Sequence, residues 1–187
     1  MSYLLIKRFF DVSVAIILLV LFSPIIFLLV ISLSLDMLGS PFFVQKRVGK
    51  GEVIFPMLKF RTMKGSNGEL KVTRFSSMVR KLGLDELPQL LNVIKGEMSL
   101  VGPRPIPIHY LPLVRKEHRL RHLVTPGITG LAQLAINSTD WHSRFELDVQ
   151  YTKELGFKTD LSILFRTFKM LIHLKKVDHQ EVLQRDY

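Results

Sequence analysis

The sequence predicts a helix-rich α+β chain, with an N-terminal re-entrant membrane hairpin broken at Ser23-Pro24 and a small globular domain after it. Three observations carry this. Residues 12–35 hold no charge. Two strand-like runs flank Gly49-Lys50-Gly51. The remaining apolar residues recur mostly at helical spacing, without the strand–helix alternation of a doubly wound sheet. The expected organisation is a membrane segment over 1–38, a globular domain over 39–176 and a tail over 177–187.

The uncharged run is 24 residues long. As a helix it reaches about 36 Å, enough for a hydrocarbon core of about 30 Å. It is longer than a signal-peptide core, and no Ala-x-Ala-like cleavage site follows. Pro24 lies near its centre, where a missing N–H and a ring clash favour a kink or a break. Basic residues flank both ends, Lys7 and Arg8 before the run and Lys46, Arg47 and Lys50 after it. The positive-inside tendency then puts both ends in the cytoplasm, which a re-entrant hairpin satisfies. A plain single-pass anchor and a Pro-kinked spanning helix are the alternatives. Asp11 reads as a solvated charge or as a partner for Lys7 and Arg8.

Gly39-Ser40-Pro41 ends this segment with turn chemistry. Residues 42–48 and 53–61 read as a β-hairpin, and Gly65 to Gly68 as a flexible loop. Residues 75–82 have helical spacing. Asp85-Glu86-Leu87-Pro88 reads as a helix start, acidic in its first turn with proline where it is tolerated; that helix runs to Gly96. Two prolines make residues 102–105 irregular. Residues 110–123 form a basic helical stretch, Pro126-Gly127 and Gly130 mark a loop, and 140–155 and 161–176 read as helices. In the last, Leu161, Leu164, Phe165, Phe168, Leu171 and Ile172 form an apolar face bordered by basic residues, suited to a membrane interface or to packing on a core.

The 187 residues suit one domain, with 48% hydrophobic residues and a formal net charge of +10. That charge calls for an anionic partner: a membrane surface, phosphorylated substrates or nucleic acid. Nucleic acid is disfavoured, because the charge is interleaved with membrane signals and no recognition module is readable. The absence of cysteine excludes disulfides, Cys-ligated zinc and a Cys nucleophile.

Asp85 and Glu86 are the candidate reactive pair. Acids at a helix start are commonly no more than dipole partners, yet carboxylates together with phosphate oxygens also hold Mg²⁺. Lys59, Arg61, Arg80 and Arg104 bracket the pair in sequence, and arginine forks match phosphate geometry. Each alone is more often a surface charge; together they suit a phosphate-handling site.

Four stretches in this order, Lys59-Phe60-Arg61-Thr62-Met63, Asp85 to Val93 (Asp-Glu-Leu-Pro-Gln-Leu-Leu-Asn-Val), Gly96 to Pro105 (ending Gly-Pro-Arg-Pro) and Pro126 to Gln133 (Pro-Gly-Ile-Thr-Gly-Leu-Ala-Gln), resemble the bacterial sugar transferases, specifically the small monotopic phosphoglycosyl transferases. Lys7 to Asp11 and Ser23-Pro24 resemble that family's membrane segment, and the likeness runs from about residue 4 to about residue 174. It implies an enzyme at the bacterial inner membrane, monotopic, with its catalytic domain on the cytoplasmic leaflet. It implies transfer of a sugar 1-phosphate from a UDP-sugar to polyprenyl (undecaprenyl) phosphate, the first membrane step in building a polysaccharide or glycoconjugate. Asp85 would be the nucleophile, and Glu86, with Asp85, would hold Mg²⁺. Lys59, Arg80 and Arg104 would bind phosphate, with Arg61, Gln133 and Asp148 as weaker substrate contacts. The family often places Asn-Gly-Arg-Asn where Ala135-Ile136-Asn137-Ser138 stands here, and an aromatic where Leu131 stands. The sugar, the pathway and the oligomeric state, a homodimer among the options, are not set by these residues. A non-enzymatic lipid-binding module and a degenerate transferase are the rival readings.

Overall fold

A computed structural model describes residues 3–65, 71–135 and 140–173. The expected tail at 177–187, most of the 65–68 loop, and Ile136, Asn137 and Ser138 lie outside the described residues. The polypeptide begins with α1 (Tyr3–Met37), a helix of 35 residues. Strands β1 (Phe42–Val48) and β2 (Ile54–Phe60) follow, then α2 (Arg74–Lys81), α3 (Gln89–Lys95), β3 (Ser99–Val101) and β4 (Ile106–Pro107). Strand β5 (Gly127–Thr129) and helices α4 (Leu131–Leu134), α5 (Trp141–Lys153) and α6 (Phe157–His173) complete the described order.

Helix α1 is long and apolar enough to cross a membrane. The expected break at Ser23-Pro24 does not appear in its secondary structure, which is helical through Pro24. The reason is local. Pro24 has no N–H for the carbonyl four residues back, that of Val20, and Ser23 Oγ donates to that same oxygen at 2.8 Å. Both halves of α1 pack on the globular part. Ala15 joins a core with Met57, Leu90, Val93 and Tyr151. Leu29 and Leu33 join a second with Phe60 and Val79, against which Leu84 and Leu87 pack. Polar contacts fix the ends. Lys7 Nζ lies 2.5 Å from Asp160 Oδ2, and Arg8 donates to the Val93 and Ile94 carbonyls at the end of α3. At the other end Asp36 Oδ2 accepts from Thr73 Oγ1 at 2.7 Å and Ser76 Oγ at 2.9 Å, at the start of α2. Asp11 proves to be a buried partner, accepting from Ser99 Oγ at 2.6 Å and 3.7 Å from Lys7.

The predicted hairpin is present. β1 and β2 pair antiparallel with Arg47 opposite Phe55 and Phe43 opposite Lys59. Gly51, at φ +63°, supplies the left-handed turn between them. β4 adds to β1, giving the order β2-β1-β4, while β3 and β5 form a separate parallel pair. β5 falls in the stretch from Pro126 to Gly130 that the sequence marks as a loop, and β3 in residues given no element. The free edge of β2 is closed by one side chain: Asn92 of α3 accepts from the Leu58 N–H at 3.0 Å and donates to the Pro56 carbonyl at 2.8 Å.

Two helical expectations need correction. Asp85 and Glu86 sit in a separate 3₁₀ turn, Leu84–Glu86, ahead of α3; the two turns are divided at Leu87-Pro88. Residues 110–123 form two 3₁₀ segments, Ile108–Leu113 and Lys116–Leu123, since Pro112 cannot continue an α-helical ladder. The last helix begins earlier than expected, at Phe157. Of its predicted apolar face, Leu161, Phe165, Phe168, Leu171 and Ile172 are exposed and Leu164 packs inward, beside Ile163, which the prediction did not include.

Candidate active site

Strand alternation builds one wall of the site. Phe55, Met57 and Lys59 of β2 share a face with Arg47, Gln45 and Phe43 of β1. Phe55 and Met57 anchor this face in the core. Arg47 and Lys59 are also buried, yet line a shallow cleft with Met57, Glu86, Gln89, Arg104, Pro105 and Gly127.

Glu86 is the electrostatic centre. Its Oε1 stands 3.2 Å from Lys59 Nζ and 3.6 Å from Arg104 Nη2. Lys59 comes from β2, Glu86 from the 3₁₀ turn and Arg104 from the loop between β3 and β4, so only the fold brings them together. Asp85 is buried, 6% exposed, in the same turn. Leu84 and Leu87, on either side of the pair, pack against the cluster of Leu29, Leu33, Phe60 and Val79, so α1, β2 and α2 together back the turn. Arg80, in the last turn of α2, donates to Thr62 Oγ1 at 3.4 Å. Arg61 is exposed at the end of β2, its N–H bonded to the Pro41 carbonyl, and is not among the cleft residues.

Glycine explains why two of the motifs read as they do. A Cβ on Gly102 would stand 2.4 Å from the Thr125 carbonyl oxygen, and one on Gly130 would stand 2.1 Å from the Gly102 oxygen. The Gly-Pro-Arg-Pro loop and the Pro-Gly-Ile-Thr-Gly stretch are therefore pressed backbone against backbone, which seats Arg104 beside β5.

Asp148 lies away from the cleft lining. It is 2% exposed, and its Oδ2 accepts from Arg121 Nε at 3.1 Å and Nη2 at 2.7 Å. Burial pushes its carboxyl up, and the Arg121 guanidinium opposes this. Gln133 follows Gly130 on α4, with both amide atoms buried and unpartnered among the described residues.

Arg47, Gln89 and Gly127 line the cleft but were not singled out as site residues. Arg47 was read as a membrane-flanking charge. Period-two alternation along the hairpin puts it on the Lys59 face, which was the available signal. Gly127 stands in the quoted Pro126 to Gln133 stretch and Gln89 in the Asp85 to Val93 stretch, which was the signal for both.

Among the described residues no cluster of three or more His, Asp or Glu suits a metal ion. Asp85 and Glu86 alone do not make a cage. Their donor chemistry is that of Mg²⁺ sites in which one or two carboxylates are completed by substrate phosphates and water.

The family model described as bacterial sugar transferase matches residues 2–174. The chain is 44% identical over 179 residues to a Bacillus subtilis (strain 168) protein named uncharacterized sugar transferase EpsL, covering 90% of this chain and 88% of that one. It is 36% identical over 185 residues to a UDP-glucose:undecaprenyl-phosphate glucose-1-phosphate transferase of Caulobacter vibrioides, covering 89% and 69%. It is 36% identical over 187 residues to a UDP-N-acetylgalactosamine-undecaprenyl-phosphate N-acetylgalactosaminephosphotransferase of Aeromonas hydrophila, covering 91% of this chain but only 44% of the relative. With a match over nearly its whole length and the motifs of that match gathered in one cleft, the chain belongs to the bacterial sugar transferase family.

Proposed function

We propose that this chain is a monotopic phosphoglycosyl transferase that moves a sugar 1-phosphate from a UDP-sugar to polyprenyl phosphate. The carrying observation is the convergence of Lys59 and Arg104 on Glu86, beside the buried Asp85. The names of the Caulobacter and Aeromonas relatives, which specify undecaprenyl phosphate as acceptor, support the reaction class.

In this reading an Asp85 oxygen attacks the sugar-bearing phosphorus of the UDP-sugar. The bond from that phosphorus to the bridging oxygen breaks, and UMP leaves. The phosphosugar is then held on Asp85 as an acyl phosphate. A phosphate oxygen of the polyprenyl phosphate attacks the same phosphorus, freeing the Asp85 carboxylate and giving the polyprenyl-diphosphate sugar. This is covalent catalysis by a carboxylate. Lys59, Arg80 and Arg104 stabilise charge on the transferring group. Glu86 keeps Lys59 and Arg104 in place. Mg²⁺, held by Asp85 and Glu86, would neutralise charge on the phosphate oxygens when bound.

Helix α1 serves as a re-entrant membrane helix in this proposal, bent at Ser23-Pro24, with the catalytic part on the cytoplasmic leaflet. Its support is that both halves of α1 pack on the same globular part and that both flanks are basic. The exposed apolar side of α6 then lies in the membrane interface. Single cysteines at Ser2 and Lys176 should both resist a membrane-impermeant thiol reagent in intact cells; labelling at one end alone would mean a spanning helix.

The mechanism is tested by incubating purified chain with Mg²⁺ and a panel of UDP-sugars without acceptor. UMP should appear at up to about one equivalent, and the protein mass should rise by one phosphosugar mapping to the Asp85 peptide. Polyprenyl phosphate should discharge the adduct, and Asp85→Asn should abolish both adduct and turnover. UMP formed only when both substrates are present would refute the covalent intermediate.

A further inference from the structure

We propose that Arg47 and Arg121, the latter set by Asp148, are positioning residues that clamp the Arg104 backbone so that its guanidinium stays over Glu86. The proposal rests on the transferase reading of the cleft. The Gly102–Pro105 loop has two prolines and hence two missing N–H donors; β5 ties its first half through the Gly102 N–H and the Pro103 carbonyl. The next two carbonyls are held by side chains. Arg121 Nη2 donates to the Arg104 carbonyl at 2.5 Å, and Arg47 Nη1 donates to the Pro105 carbonyl at 3.2 Å. These are consecutive carbonyls, gripped from different elements: Arg47 stands on β1, Arg121 on the 3₁₀ segment Lys116–Leu123.

Each guanidinium is itself fixed. Arg47 places Nε and Nη2 on Gln45 Oε1 at 3.1 and 2.6 Å. Arg121 places Nε and Nη2 on Asp148 and lies 5.1 Å from the Phe145 ring centre. Arg47, Arg121 and Asp148 are 4%, 2% and 2% exposed. Buried charge of this kind is a poor source of net stability, but a planar fork held at several points is a stiff support. The Arg104 side chain, by contrast, is 29% exposed and faces Glu86 at 3.6 Å. A fixed backbone carrying a part-exposed guanidinium is what a preorganised phosphate contact requires.

A kinetic double-mutant cycle on the full-length enzyme in detergent with Mg²⁺ tests this. Arg121→Lys keeps the charge but cannot hold Asp148 and the Arg104 carbonyl together. Alone it should lower kcat/KM for UMP release by about 10- to 100-fold. In an Arg104→Ala background it should cost less than about twofold, because the group it positions is gone. Equal factors in both backgrounds, or no effect alone, would overturn the clamp. Should Arg121→Lys lack a cooperative melt, Asp148→Asn and Arg47→Lys carry the same cycle from either side of the loop. The cycle is repeated on inorganic pyrophosphate affinity by calorimetry, which needs no turnover. Additive effects there sink the clamp, while a wild-type chain that binds pyrophosphate but releases no UMP from any UDP-sugar sinks only the transferase reading.

Discussion

Replacing Gly127 by alanine should destabilise the protein severely although it adds a single methyl group. The new Cβ would stand 2.0 Å from the Gly102 nitrogen, 2.5 Å from the Thr129 oxygen and 2.6 Å from the Val101 carbonyl carbon. All three are backbone atoms, so no side-chain rotation relieves the contact, and β3 and β5 must part. Parting them endangers three hydrogen bonds: Gly102 N to Thr129 O at 2.9 Å, Gly127 N to Pro103 O at 2.9 Å and Ser99 N to Pro126 O at 2.8 Å. At about 1 kcal/mol each these amount to about 3 kcal/mol, and residual strain raises the expectation to about 3–5 kcal/mol. For a chain of this size about 2–4 °C of Tm goes with each kcal/mol, so the midpoint should fall by about 6–20 °C. UMP release should fall too, because Gly127 lines the cleft and β5 seats the Arg104 loop. Gly39→Ala is the control: nothing lies within 4 Å of its Cβ position, and a surface change of this kind stays within about 0.5 kcal/mol. The readout is thermal unfolding of detergent-solubilised protein by circular dichroism. A Gly127→Ala midpoint within about 2 °C of wild type would refute the close-packing argument.

Arg104→Lys keeps the charge but loses the planar fork, so kcat/KM should drop about tenfold or more in UMP-release assays. Burial, aided by the Arg121 charge and opposed by a hydrogen bond with the Gly49 backbone, holds the His122 imidazole down at about 4, below its ordinary 6.5. The unfolded chain therefore takes up a proton that the native chain refuses between those values, and stability should fall as pH drops from 6.5 to 4 and level off below. The contribution is at most about 3 kcal/mol, less once solvent screening is counted. Urea midpoints for His122→Gln should depend less on pH over that interval than those of wild type; parallel slopes would contradict it. Restoring glycine and arginine by Ile136→Gly with Asn137→Arg should lower the KM for the UDP-sugar, as donor titrations of the double variant would show; unchanged donor kinetics would remove that loop from the donor site.

Much of the chemistry was legible along the chain because it is local. A proline inside an uncharged run, a hairpin around Gly51, an Asp-Glu pair and an arginine between two prolines are each written in adjacent residues. Glu86, Lys59 and Arg104, singled out from sequence, do meet at one oxygen. Period-two alternation would also have put Arg47 on the Lys59 face, had the strand been read for its register rather than for its charge.

What only the tertiary structure decided depends on contacts between distant parts of the chain. The β3–β5 pair joins two three-residue strands through close glycine packing, and segments that short carry no periodicity to read. The Asp85–Glu86 turn stands apart from α3 and is backed by a cluster drawn from α1, β2 and α2, a packing that no local propensity encodes. Asp148, a weaker substrate-contact candidate by resemblance, is buried against Arg121 and lies outside the cleft lining. A charge in sequence is the same letter whether it faces water, a phosphate or a buried guanidinium. Which of these it meets is set by the packing of elements far apart in the chain, and the free energy of that packing belongs to the fold as a whole.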